Sequence, residues 1–139
     1  MEATMEVLET ESLPIRSSEH VVLVRTAVRQ KAVKAKFGLV DQTKVVTAAS
    51  EIARNTLDYG LGGDVLIEIL AEGTRKALRM TFTDQGPGIP DLALALTDGY
   101  TTGRGMGLGM GGTRRLVEEF NVVSKVQEGT TVTITKWSR

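Results

Sequence analysis

A chain of 139 residues, 41% apolar and 24% charged, has the makeup of a soluble globular domain and is long enough to bury about two-thirds of its unfolded surface. Its basic and acidic residues cancel to a formal net charge of zero, with a pI near 6.6, which excludes a general binder of nucleic acid or anionic membranes. The lack of cysteine excludes disulfides, thiolate metal sites and a cysteine nucleophile. No apolar run approaches the ~20 residues of a membrane span, and the acidic start MEATMEVLETE is unlike a signal peptide, so a cytoplasmic protein is expected.

In chain order, residues 5–15 alternate weakly (Met5, Val7, then Leu13, Ile15) and predict an edge strand before a turn at Pro14 and Ser17-Ser18. Ser17 or Ser18 is placed to cap a helix carrying Val21, Val22, Val24, Ala27, Val28, Lys31, Ala32 and Ala35 at helical spacing, stopping near Phe37-Gly38. The single histidine, His20, falls at the start of this helix and reads as structural or solvent-facing. Asp41 is the expected cap of a second helix, which runs to about Tyr59 and is closed by Gly60. On it Val45, Ala48, Ala49, Ile52, Ala53 and Tyr59 share one broad face. Glu51 and Asn55, four residues apart, stack one turn above the other at its margin, bordering the core while pointing into a cleft.

Gly62-Gly63-Asp64 predicts a turn, and two strands follow at 65–71 and 77–83, joined as a hairpin through Glu72-Gly-Thr-Arg75. Asp84-Gln-Gly-Pro-Gly-Ile-Pro90 then forms a turn that no helix or sheet interior tolerates. A short helical turn at 91–97 leads into TTGRGMGLGMGG at 101–112, where glycine alternates from Gly103 to Gly109 and doubles at Gly111-Gly112. So dense a cluster weakens any ordinary element and suits backbone that reaches φ > 0 or approaches a bulky ligand. Residues 113–120 read as a helix. A glycine-rich loop feeding a helix N-terminus cradles phosphate, because unpaired N–H groups and the positive dipole end face the anion; a low-complexity linker is the structural alternative. Residues 120–126 and 130–137 close the chain as a β-branched hairpin. The order β-α-α-β-β-loop-α-β-β, without repeats or an interdomain linker, predicts a single α+β domain over 1–139, a two-layer sandwich of mostly antiparallel sheet with helices on one face.

The loop fits none of three common phosphate motifs. No Gly-Lys-Ser/Thr of a Walker A loop occurs. A Rossmann fingerprint directly follows a strand, whereas Asp98-Gly-Tyr-Thr-Thr102 makes a poor strand and the chain ends in a hairpin. A eukaryotic-type kinase has its glycine loop first and a strand lysine after it, and here the loop comes late with Asp84-Gln-Gly86 in place of DFG.

What remains is a trio in fixed order: Glu51-x-x-x-Asn55 on a helix, Asp84-x-Gly86-x-Gly88 after a strand, and Gly103-x-Gly105-x-Gly107-Leu-Gly109 before a helix. With the strand start at Gly129-Thr-Thr131, this resembles the nucleotide site of the GHKL (Bergerat-fold) ATPases, across about residues 40–137. The short chain leaves no length for the further domains of gyrase-, Hsp90- or MutL-type members, and His20 lacks the context of a histidine-kinase phosphoacceptor. Glu51-Ile-Ala-Arg-Asn55, Gly107-Leu-Gly-Met-Gly-Gly-Thr-Arg-Arg-Leu116 and Gly129-Thr-Thr-Val-Thr-Ile-Thr-Lys-Trp137 are most similar to serine/threonine kinases of the anti-sigma-factor class, and among these to RsbT-type switch kinases.

The resemblance implies ATP and Mg2+ as cofactors and assigns roles. Asn55 matches the magnesium ligand, and one neutral amide is chemically sufficient for an ion that keeps waters and phosphate oxygens. Glu51 matches the general base that takes the proton of a substrate hydroxyl. Asp84 matches the adenine reader, accepting from the exocyclic amine, with Gly86 and Gly88 leaving room for the ring. Thr102, Gly103, Arg104, Gly105, Met106, Gly107, Leu108 and Gly109 match the phosphate-binding loop, closing a short nucleotide lid over 91–102. Arg104 reads equally as a phosphate contact or a solvated charge. Thr131 matches a residue beneath the adenine and is equally explained by strand propensity. A mid-helix Asn, a helix-surface Glu and a turn-capping Asp also have ordinary structural uses.

Such kinases phosphorylate a Ser or Thr of a small STAS-domain antagonist and bind a phosphatase (of the PP2C type) in partner-switching pathways. That substrate class is the expectation here, with no nucleic acid and no membrane. The alternatives are an anti-sigma factor whose task is sequestering a sigma factor, or an ATP-binding module without chemistry. Glu51 argues against the last, because a carboxylate near the γ-phosphate repels charge and nucleotide binding alone does not need it. Family members include homodimers, and no interface is written in this chain.

Overall fold

Strand β1 (Glu6–Ile15) opens the fold in the computed structural model, which describes residues 5–88 and 110–138. Helices α1 (Ser18–Lys34) and α2 (Leu39–Asp58) follow, then the hairpin β2 (Gly63–Glu72) and β3 (Arg75–Asp84). After residues 89–109 come a single helical turn α3 (Met110–Thr113), a 3-10 turn (Arg114–Leu116), β4 (Glu119–Lys125) and β5 (Gly129–Trp137). Among the described residues the strands form one sheet in the order β1-β2-β3-β5-β4, antiparallel at every pair. The expected α+β sandwich is what the chain builds.

Strand alternation sets the core. The pairings Val65↔Phe82, Ile67↔Met80 and Ile69↔Leu78 bring six apolar side chains to one face, and Val132 and Ile134 extend the same rows through β5. All eight are buried. Each is worth roughly 1.5–3 kcal/mol relative to exposure, so the rows are a principal source of sheet stability. On the helix side, Val21, Val24, Val28 and Ala32 recur at helical spacing on α1, and Val45, Ala48, Ala49, Ile52 and Ala53 on α2; all are buried. The alanines let α2 lie close to the sheet, which matters because α2 carries the candidate chemistry. Val22, expected on the inner face of α1, instead points outward.

Ser17 caps α1, its Oγ accepting from the His20 N–H at 3.3 Å. His20 returns the contact, Nδ1 accepting from the Arg16 N–H at 2.9 Å, so this histidine serves the helix end. Lys31 is buried on the inner face of α1 and pairs with Glu9 and Glu11 on β1. That ion pair ties the edge strand to the helix above it.

Two local expectations change. Asp41 does not cap α2: the cap is Gly38, with no side-chain hydrogen bond, and Asp41 sits in the first turn, buried, 3.5 Å from Lys136 Nζ. The pull is long-range, since Lys136 lies on the last strand with its ammonium buried and also held by Glu118 at 2.9 Å. The helix expected over 113–120 is also cut short. Val117 is already extended (φ −132°, ψ 156°), and β4 begins at Glu119 because Phe120 and Val122 register against Ile134 and Val132. Sheet pairing with an aromatic and a β-branched residue overrides the local helical preference.

Candidate nucleotide and phosphoryl-transfer site

The glycine that ends α2 and the turn that ends β3 meet at one carboxylate. Asp84 is buried, and its Oδ1 accepts from the Gly86 N–H at 2.9 Å and the Thr130 N–H at 3.1 Å. Among the described residues both of its hydrogen bonds fall on Oδ1, leaving Oδ2 as the acceptor that a ligand could use. Burial pushes the Asp84 carboxyl above the ordinary carboxylate range, and the two N–H donors oppose that shift only in part.

The glycines around it are required by close backbone packing. A Cβ on Gly86 would lie 2.7 Å from the Gly60 backbone, and a Cβ on Gly60 would lie 2.4 Å from the Asp84 carboxylate. Gly88 has φ +79°, and a Cβ there would meet the Lys125 carbonyl at 2.3 Å. Gly60 and Gly86 therefore let separate backbone segments close around Asp84, while Gly88, pressed against Lys125, also lines the cavity into which Asp84 opens. Gly60 escaped the sequence reading as a site residue; its signal, a glycine closing the helix that carries Asn55, is too common to single it out.

Asp84 opens into a cavity walled by Ile52, Asn55, Thr56 and Tyr59 of the α2 region, Phe82 of β3, Met110 of α3, and Thr130 and Val132 of β5. Apolar walls with one carboxylate oxygen at the end are the chemistry that a purine ring with an exocyclic amine requires. Thr131 is misplaced in the sequence reading. It pairs with Thr83 and lines a second groove that Asp84 and Thr130 also border, whereas Thr130, one residue earlier, lines the cavity as well and holds Asp84 through its backbone N–H. Side chains alternate along a strand, so a shift of one residue moves the contact to the other face.

Glu51 and Asn55 lie one turn apart on α2, as the spacing predicts. Asn55 is buried and lines the Asp84 cavity; it also lines a second cavity of about 320 Å3, with Glu51, Ser50, Arg54, Asp58 and, from α1, Val21, Val22 and Arg25. Glu51 is exposed and lines this second cavity and, among the described residues, not the Asp84 cavity. The two cavities share Asn55 and Tyr59, so a buried amide stands between a small, mainly apolar cavity and a solvent-accessible carboxylate. Thr102, Gly103, Arg104, Gly105, Met106, Gly107, Leu108 and Gly109, and the predicted lid over 91–102, lie outside the described residues. Met110 and Gly111, which follow that loop, are buried, and Met110 reaches the Asp84 cavity.

The profile of the histidine kinase-, DNA gyrase B- and HSP90-like ATPases matches residues 40–138. The chain belongs to this family. It is 41% identical over 119 residues to the serine/threonine-protein kinase RsbT of Bacillus subtilis, covering 86% of this chain and 90% of that one. It is 31% identical over 105 residues to an anti-sigma F factor of Anoxybacillus flavithermus, covering 70% of each. Among solved structures, the RsbU and RsbW domains of a Mycobacterium tuberculosis protein share the fold, with a TM-score of 0.64 and 20% identity over 94% of this chain and 33% of that chain. The GHKL resemblance, and its narrowing to RsbT-type serine/threonine kinases, are borne out. Among the described residues no helix is long and apolar enough to cross a membrane.

Proposed function

We propose that the protein is a cytoplasmic, ATP-dependent serine/threonine kinase that phosphorylates a STAS-domain protein in a partner-switching pathway. The observation that supports this reading is the arrangement around Asn55, with a mainly apolar cavity ending at the Asp84 carboxylate on one side and an exposed carboxylate, Glu51, on the other. Asp84 Oδ2 accepts from the adenine amine, held in place by the two backbone donors on Oδ1. Asn55 is the residue that would hold Mg2+, which when bound neutralises charge on the phosphates. Glu51 takes the proton from the acceptor hydroxyl as its oxygen bonds to the γ-phosphorus and the bond to ADP breaks. Because Glu51 is exposed, a folded protein can bring its hydroxyl there without first opening the core.

Identity with an anti-sigma F factor favours a second reading, in which the chain sequesters a sigma factor. Intact-mass spectrometry separates the two. The protein is mixed with Mg-ATP and STAS-domain proteins of the same organism, and Glu51→Gln serves as control. A phosphate's mass gained on one STAS protein, reduced about 10²–10⁴-fold in rate by Glu51→Gln while ATP still binds, is the expected result. No transfer, combined with tight binding to a sigma factor, would replace the kinase reading with sequestration.

A further inference from the structure

Along the outer face of α1, Val22, Thr26, Arg29 and Val33 follow one another at spacings of four, three and four residues and so form a single stripe. With Val46 of α2 as floor, the stripe lines an open groove of about 690 Å3. The stripe rises about 16 Å along the helix, three turns. Val22 and Val33 are each 55% exposed, an unusual position for β-branched residues that have a buried face available on the same helix.

The charges in the groove have one sign. Among the described residues Arg25 and Arg29 line it, no carboxylate does, and neither arginine is in an ion pair. Lys31 and Lys34 on the same helix are both paired with Glu9, so α1 does not lack acidic neighbours elsewhere. In a chain of zero net charge, two unpaired arginines beside exposed valines form a local field that favours a carboxylate-bearing partner. The groove is also continuous with the candidate site, since Val22 and Arg25 line both it and the cavity of Glu51.

We propose that this groove docks the phosphoacceptor protein through an acidic amphipathic helix, whose apolar residues at i, i+4 and i+7 lie on Val22, Val33 and Val46 and whose carboxylates meet Arg25 and Arg29. A helix laid in a groove reads such anchors while the flanking charges set its direction. Docking here brings the rest of the acceptor over Glu51, so the groove sets affinity for the protein substrate and the Glu51 cavity performs the transfer. This rests on the kinase reading above for the identity of the partner, though not for the existence of the surface.

The test uses the full chain with Arg29→Glu and, separately, Val33→Asp; both positions are exposed and neither lines the cavities of Asp84 or Glu51. Calorimetry measures binding to STAS-domain proteins of the same organism, and mass spectrometry measures transfer as a function of acceptor concentration. The expected result is a KM for the acceptor raised tenfold or more in both variants, with kcat at saturating acceptor and ATP affinity unchanged. An acceptor carrying Lys in place of one helix carboxylate should restore the Arg29→Glu variant. Unchanged KM in both variants overturns docking here and leaves the kinase reading standing. Binding that both variants weaken, without any transfer by the native chain, supports the docking surface and sinks the kinase reading. Failure of every STAS protein to bind, or a native dimer that these substitutions disperse, overturns the proposal.

Discussion

Replacing Asp84 with Asn separates the structural role of one carboxylate oxygen from the adenine-reading role proposed for the other. Oδ1 accepts both structural hydrogen bonds, from Gly86 and Thr130, and the amide oxygen of Asn accepts the same two. Nδ2 then stands where Oδ2 stood and turns a donor towards the donor amine of adenine. Loss of a hydrogen bond to a charged group is worth about 1.5–3 kcal/mol, so ATP affinity should fall about 10- to 150-fold. Stability should behave differently. Burial raises the Asp84 carboxyl in the folded state, so its favourable contribution is complete below the ordinary carboxylate pKa and is lost as pH rises through the raised value. At neutral pH the native chain therefore holds a desolvated charge that Asn removes, and the variant should melt no lower than the native protein. Titration calorimetry with Mg-ATP and thermal denaturation at pH 7 give both readings. Unchanged ATP affinity would refute the adenine assignment, and a melting point lowered by many degrees would refute the division of roles between the oxygens.

If Asp84 reads adenine as proposed, ATP affinity should fall as pH drops through the raised Asp84 value, and the Asp84→Asn variant should lack that dependence in parallel calorimetric titrations. Gly60→Ala puts a methyl 2.4 Å from the Asp84 carboxylate, well inside contact distance, so it should cost about 1–3 kcal/mol in urea unfolding and weaken ATP binding as Asp84 is displaced. Lys136→Met removes the buried cation facing Asp41 and Glu118; it should cost about 3–5 kcal/mol, and adding Asp41→Leu should recover part of this in the same unfolding assay. In Asn55→Ala, ATP binding should lose most of its dependence on Mg2+, measured by titrating nucleotide with and without the ion.

What the chain discloses in its letters is chemistry within one turn of one element. Glu51 and Asn55 stand four apart on a helix whose alanine-rich face was legible, and the strands carrying Ile67 and Met80 announce themselves by alternation, so the paired cavities follow almost directly. Relations across the sheet are not written locally. Two adjacent threonines follow Gly129, and only the pairing of Thr131 with Thr83 and Val123 decides that Thr130 faces Asp84. Asp41 has every local mark of a helix cap, and a lysine on the last strand decides otherwise. Gly86 and Gly88 look like space for a ligand, and the close approaches of Gly60 and Lys125 that also require glycine there are not visible locally.

These misreadings have a common cause, and it bears on the chemistry. Asp84 is gripped from three separated segments, the end of α2 at Gly60, its own turn at Gly86 and the start of β5 at Thr130. No one of them can move without disturbing the carboxylate. A reader of adenine gains selectivity from that rigidity, because an acceptor already held in place does not have to be ordered when the nucleotide arrives. Glu51 shows the opposite arrangement: it is exposed, it lies outside the Asp84 cavity, and it shares its own cavity with the outer helix α1. A general base for a protein hydroxyl has to meet a substrate that arrives as a folded surface, and a buried carboxylate would be out of its reach. In the proposed kinase the rigid end of the site belongs to the nucleotide and the open end to the partner, which is why the substitutions that test ATP binding lie in the core while those that test acceptor recognition lie on α1.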